Sequence, residues 1–236
     1  GRMDWKLLLQ LRFSLRQAAL SALPVLPHLW RDPAGDGMNI SQADVMAIPY
    51  ASGSFQAVVF SPPYWNLRSY QTGDNKHMEL GSEKLHDCLG WATGAPCGKC
   101  FICHTVAYMR EVKRVLREDG TVWLNCGDSY AGNPSNGRGG EKPAGGIPHR
   151  SGREKKGNCL KPKDLCLIPE RVALALQADG WYIRAPIIWH KPNPMPGSQT
   201  DRPSIDFEFV WLLSKSQHYY FDMYAVTGRK VPRNLV

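Results

Sequence analysis

No apolar run in this 236-residue chain approaches the roughly 20 residues a membrane-spanning helix needs, so a spanning helix is excluded. An unbroken apolar core near the N-terminus is absent too. Arg12 and Arg16 interrupt residues 3–30, which argues against a secretory leader. Acidic residues are in the minority, 21 Asp plus Glu against 29 Lys plus Arg, and the formal charge of +8 favours a polyanionic partner. Cysteines number seven, an odd count that does not suit a secreted disulfide framework, so the expected location is the cytoplasm. No repeat of fixed period runs through the chain. What is there is a globular composition, 43% hydrophobic and 21% charged, long enough for one domain with a full core.

Residues 1–37 read as an appendage. Leu8, Leu11, Leu15 and Leu20 approximate helical spacing and predict an amphipathic helix docked on the body, with membrane-surface or organelle-targeting use as the alternative. Arg31 to Gly37 (RDPAGDG) reads as a turn-rich linker. From 38 to 236 short strands alternate with helices, which predicts an α/β sheet with helices on both faces. Gln56–Phe60 is a short strand stopped by Ser61-Pro62-Pro63. A helix is expected over Thr105–Arg117, with Val106, Met109, Val112, Val115 and Leu116 as its buried stripe and Asp119-Gly120 ending it. Strands are expected at Thr121–Leu124, Trp181–Trp189 and Phe207–Leu213, and a helix at Leu167–Ala178 with Pro169 in its first turn.

Between 131 and 164 apolar periodicity disappears. From Arg138 to Lys163 eight Lys or Arg face two Glu, so a flexible basic loop is expected. Arg138, Arg150, Arg153, Lys155 and Lys156 are its candidates for phosphate contact, since neutralising phosphates releases counterions. A solvated insertion without a partner is the plainer alternative.

Val58 to Trp65 (VVFSPPYW) is the most informative stretch. A strand ending in Ser61-Pro62-Pro63-Tyr64 puts a small hydroxyl, a rigid carbonyl and an aromatic face at the carboxyl edge of a sheet, where open α/β folds bind ligands. The prolines fix the backbone and remove competing amide hydrogens. Such an arrangement suits an exocyclic amine on a nucleobase. Two acceptors, Ser61 and the Pro62 carbonyl, would grip its hydrogens and direct the nitrogen lone pair outward, while Tyr64 offers a stacking surface.

SPPY after an apolar strand resembles the catalytic motif of the S-adenosylmethionine-dependent DNA amino-methyltransferases, which act on N4 of cytosine or N6 of adenine. Ala43-Asp44-Val45 resembles that family's acidic segment beside the cofactor adenine. Leu116–Tyr130, Gly180–Pro196 and Arg202–Asp222 are similar to its later segments, so the likeness covers about residues 38–222. The resemblance implies a Rossmann-like class I methyltransferase sheet, S-adenosylmethionine held by Asp44 and Ser61, and a base flipped from double-stranded DNA. It also implies a cognate restriction endonuclease as partner. Serine at position 61 favours cytosine N4 over adenine N6. In the subgroup with the catalytic motif first, a Gly-rich cofactor loop follows near the C-terminus. This sequence reaches Val236 without one, and Ala34 to Gly37 (AGDG) resembles such a loop only superficially, so a fragment, one half of a split enzyme missing its C-terminal part, or an incomplete reading frame is expected. A non-catalytic, zinc-stabilised DNA-binding remnant is the rival.

Cys88, Cys97, Cys100 and Cys103 lie within sixteen residues, flanked by His86 and His104. Four thiolates at this spacing suit a closed, structural zinc site, with iron–sulfur ligation and buried thiols as alternatives. Trp65 and Arg68 follow the catalytic segment and are expected to hold a flipped nucleotide. Asn125 and Asp128 either border the base pocket or serve as turn residues, Lys191 is expected at a backbone phosphate, and Trp123, Trp181, Trp189 and Trp211 are expected in the core.

Overall fold

The computed structural model describes residues 8–11, 30–31, 39–40, 43–65, 80–81, 83, 93–131, 160–161, 163–194 and 199–228. Its elements are β1 (Leu8–Leu11), β2 (Trp30–Arg31), β3 (Asn39–Ile40), β4 (Phe55–Phe60), α1 (Phe101–Val115), β5 (Leu116–Cys126), α2 (Ile168–Ala178), β6 (Tyr182–His190), β7 (Phe207–Ser214) and α3 (Met223–Thr227). Five strands form one sheet in the order β1-β4-β5-β7-β6, and β2 pairs with β3 apart from it. The β1–β4 and β4–β5 pairs are parallel, whereas β7 runs antiparallel to both β5 and β6. The α/β class read from the sequence is the one observed.

The core lies between this sheet and α1. Val106, Met109, Val112 and Val115, spaced three apart, are all at most 1% exposed. They meet a sheet face that includes Val58, Val122, Leu124 and Leu213, all fully buried. Each such side chain contributes roughly 1.5–3 kcal/mol of apolar burial. α1 packs on α2 and β5, and α2 on β6, so among the described residues these two helices share one face.

Three expectations change. Leu8–Leu11 is a parallel strand on β4 rather than part of a helix. The edge of β4 offers unpaired amides and carbonyls, and satisfying them outweighs the leucine spacing. The first long helix starts at Phe101, capped by Cys100, and ends at Val115. Asp119-Gly120 therefore lies inside β5, whose pairing with β4 slips between Phe55 and Ala57. Trp189 is 63% exposed on the edge strand β6, while Trp181 is buried as expected.

Two sets of hydrogen bonds tie the connecting segments to this framework. Glu111 accepts the Ile48 amide at 2.9 Å, and Arg114 donates to the Ile48 and Tyr50 carbonyls at 2.8 Å each, which binds residues 44–50 to α1. After β5, the Ala131 amide donates to the Asp164 carbonyl at 2.8 Å, the Lys163 amide donates to the Ala131 carbonyl at 3.0 Å, and Tyr130 bridges Leu165. Residues 132–159, with most of the basic segment, lie outside the described residues. No helix among the described residues is long and apolar enough to cross a membrane.

Candidate active site

β4 ends where Pro62 and Pro63 deprive the ladder of donors, and Ser61 is left exposed at that carboxyl edge. β5 runs parallel beside it, so Asn125, one residue beyond the partner of Phe60, reaches the same edge. β7 arrives antiparallel and contributes Glu208 from the opposite direction. Residues 147 positions apart (61 to 208) thus share one edge because the sheet mixes strand directions.

These side chains form one hydrogen-bonded network. The Ser61 hydroxyl lies 3.3 Å from the Tyr64 hydroxyl and 3.2 Å from Asn125 Oδ1. Tyr64 Oη is 2.6 Å from Asn125 Oδ1 and 2.8 Å from Glu208 Oε2, and its one proton can serve either. Asn125 Nδ2 donates to Glu208 Oε2 and to the Phe209 carbonyl, 3.2 Å each. Lys191 Nζ closes the network on Glu208 Oε1.

Charge is distributed accordingly. Burial raises Glu208, but the hydrogen bonds from Lys191, Tyr64 and Asn125 together outweigh it and hold the carboxyl below its ordinary range. Tyr64 is driven well up, chiefly by burial and with help from the Glu208 carboxylate, so its hydroxyl stays protonated. Burial likewise raises the Cys126 thiol far above its ordinary value, with Asp128 next in effect, which leaves it without nucleophilic thiolate at neutral pH.

Tyr64 is oriented by a close approach. A Cβ on Gly127 would stand 2.5 Å from Tyr64 Cε2 and 2.7 Å from Cδ2, so the ring lies directly on the Gly127 backbone. One ring face is therefore occupied by the protein. Gly127→Ala is expected to push the ring out of the network at a cost of about 1–3 kcal/mol. A thermal melt and a turnover assay check this, and wild-type values in both would show that the ring has room to yield.

Of the sequence-derived residues, Ser61, Pro62, Pro63 and Tyr64 stand together as expected, with Asn125 added. Asp44 lies in a turn before β4. Its Oδ1 accepts the Met46 amide at 2.8 Å, and Oδ2 has no hydrogen-bond partner among the described residues. Nor does any hydrogen bond among the described residues link Asp44 to the Ser61 network. Trp65 departs from expectation: it is 3% exposed, in the core, with its indole N–H donated to the Glu83 carbonyl at 2.9 Å. An apolar ring next to a proline-stiffened turn is drawn inward, where it cannot hold a nucleotide. Lys191 is committed to Glu208 rather than to a phosphate. Asp128 acts on structure: its oxygens accept the amides of Ser129, Leu167 and Ile168 at 2.8–3.0 Å, which caps α2 from across the fold. Burial raises its pKa against those three bonds. Cys97, Cys100 and Cys103 converge, with their Sγ atoms all within 4.8 Å of one another. Arg68, Cys88, Arg138, Arg150, Arg153, Lys155 and Lys156 lie outside the described residues. Glu208 was missed, although a lone carboxylate inside the apolar run FEFVWLL was a visible signal.

A family model described as DNA methylase, the N6/N4 methyltransferase model, matches residues 55–232. The type II methyltransferase M.Cfr9I of Citrobacter freundii is 40% identical over 199 residues, covering 83% of this chain and 60% of its own length. M.SmaI of Serratia marcescens, also a type II methyltransferase, is 41% identical over 173 residues, 73% of this chain and 53% of its own. The chain thus spans little more than half the length of these relatives. Among solved structures, the cytosine-N4-specific PvuII DNA methyltransferase aligns with a TM-score of 0.47 at 16% identity, over 78% of this chain and 50% of that one.

Proposed function

Because the chain belongs to the DNA methylase family of the N6/N4 type, we propose that it transfers a methyl group to the exocyclic amine of a base flipped out of double-stranded DNA, with cytosine N4 preferred over adenine N6. The observation that carries this reading is the state of Ser61, an exposed hydroxyl whose single proton is engaged by Tyr64 or Asn125. Its lone pairs remain available as acceptors. With the Pro62 carbonyl they would hold both amine hydrogens, pyramidalise the nitrogen and aim its lone pair. S-adenosylmethionine, when bound, supplies the electrophilic methyl on a sulfonium sulfur. Asp44 would hold the cofactor side, and Ser61 would sit between cofactor and base. As the nitrogen–carbon bond formed, the methyl–sulfonium bond would break to leave a neutral thioether, and the amine would lose one proton. Ser61 is neutral and does not keep it, so the proton leaves to water at the exposed rim. With one ring face on Gly127, Tyr64 would offer its other face to the base as a stacking surface. The preference for cytosine rests on serine in place of aspartate at position 61.

The test is methylation of mixed-sequence duplex DNA with labelled S-adenosylmethionine, then nucleoside analysis. N4-methylcytosine is expected. N6-methyladenine as sole product would overturn the base preference. DNA binding with neither transfer nor cofactor binding would favour a zinc-stabilised binder instead. The same reading includes a cognate restriction endonuclease acting on the same DNA site as partner.

The basic segment adds a second measurable outcome. If Arg138, Arg150, Arg153, Lys155 and Lys156 each neutralise a phosphate, DNA affinity should fall roughly 10²- to 10³-fold between about 50 and 200 mM salt. Each Lys or Arg replaced by Gln should flatten the log–log slope by about 0.9. A slope indifferent to all five substitutions would assign DNA binding elsewhere.

A further inference from the structure

Cys97, Cys100 and Cys103 sit at the N-terminal end of α1, and Cys100 is its cap. Cys97 and Cys103 Sγ atoms are 3.8 Å apart, far beyond the roughly 2.05 Å of a disulfide. That separation equals the edge of a tetrahedron with metal–sulfur bonds of about 2.3 Å, the zinc–thiolate length. A second, independent feature is the donors around the sulfurs. Three backbone amides turn toward these atoms: Gly98 N to Cys103 Sγ at 3.3 Å, Lys99 N to Cys97 Sγ at 3.5 Å and Cys103 N to Cys100 Sγ at 3.5 Å. Cys100 and Cys103 are 2% and 5% exposed, and thiolates so placed need a cation for compensation.

The knuckle is joined to the Ser61–Trp65 segment through Glu83, whose side chain is only 7% exposed. His104, directly after Cys103, is hydrogen-bonded through Nδ1 to Glu83 Oε1 at 2.9 Å. Glu83 Oε2 accepts the Gly81 amide at 2.6 Å, and its carbonyl accepts the Trp65 indole. Gly81 in turn lies on the catalytic segment, since a Cβ there would stand 2.9 Å from the Tyr64 carbonyl oxygen.

We infer that Cys97, Cys100 and Cys103 hold a structural zinc ion, and that this ion anchors the Ser61–Trp65 segment through His104 and Glu83. Cys88 is the sequence's candidate for the fourth ligand. A full set of sulfur ligands leaves no open position, so the ion fixes geometry and takes no part in the reaction. The metal site stands without the methyl-transfer reading. Only the significance of what it anchors rests on that reading.

Elemental analysis of the chain purified without chelator should find about one zinc per molecule. Cys97→Ser, Cys100→Ser and Cys103→Ser should each lose it, and Cys126→Ala should retain it. Should these variants fail to fold, cobalt substitution of the unaltered chain still decides, by visible bands of tetrahedral thiolate coordination. Absence of metal and of those bands would overturn the site, and iron with inorganic sulfide would overturn zinc. For the anchoring, amide exchange at Ser61, Tyr64, Trp65 and Gly81 should quicken at least tenfold after chelation. Zinc bound with no change there would leave the anchor refuted. None of these readouts requires methyl transfer, so failure of the function and failure of the metal site are distinguishable.

Discussion

Replacing Ser61 with alanine should lower methyl transfer by about 10²- to 10³-fold, the usual effect of removing one preoriented hydrogen-bonding group from a reaction centre. Ser61 is exposed and its hydroxyl lies on the rim of the network, so Ala neither opens a cavity nor strands a buried partner. Tyr64 and Asn125 remain bonded to each other and to Glu208. DNA affinity and melting temperature should therefore stay near wild type while the transfer step slows. Single-turnover methylation beside a gel-shift titration separates the two. An undiminished rate would remove the hydroxyl from the mechanism altogether.

Glu208→Ala has a different profile, because Glu208 supports the others rather than meeting the base. It removes the acceptor shared by Tyr64 and Asn125 and the counter-charge of Lys191. Hydrogen bonds to a charged group are worth about 1.5–3 kcal/mol each, and side chains left half-buried without partners cost a similar amount. Lys191 is 41% exposed and can rehydrate, which limits the loss. A net destabilisation of about 1–3 kcal/mol is expected, with at least a tenfold drop in turnover as Tyr64 and Asn125 lose their orientation. The sign of the shift sets the pH dependence. Glu208 is held below its ordinary range, so its contribution is complete above the unfolded carboxyl value and fades as pH falls through the lower folded value. The stability gap between wild type and Glu208→Ala should be full at about pH 7 and shrink toward about pH 3. A gap constant across that range would mean that charge is not what Glu208 supplies.

How much of this was legible beforehand depends on the range of the interactions. The SPPY segment and the α1 stripe were readable because both are local: one is punctuation by proline, the other a 3.6-residue period. Asn125 stayed ambiguous because its role depends on which strand lies beside it. Glu208 was invisible as a partner until the antiparallel placement of β7 brought it to Tyr64, 144 residues away. Leucine spacing misled at Leu8–Leu11, where an unpaired sheet edge decided the conformation. Trp65 misled for a related reason, since an aromatic beside a reactive motif has no sequence mark that separates display from burial. The cysteine cluster was legible because its members are close in sequence: Cys97, Cys100 and Cys103 fall within seven residues, and their thiols meet.

The clasp formed by Ala131 with Lys163 and Asp164 has a corollary. Hydrogen bonds there bring both ends of the intervening stretch to one point, so changes in its length are not passed on to β5 or α2. Doubling a closed stretch adds only about 0.6 kcal/mol of closure entropy. Lengthening, shortening or exchanging those residues should therefore leave the Ser61–Tyr64–Asn125–Glu208 network unaltered.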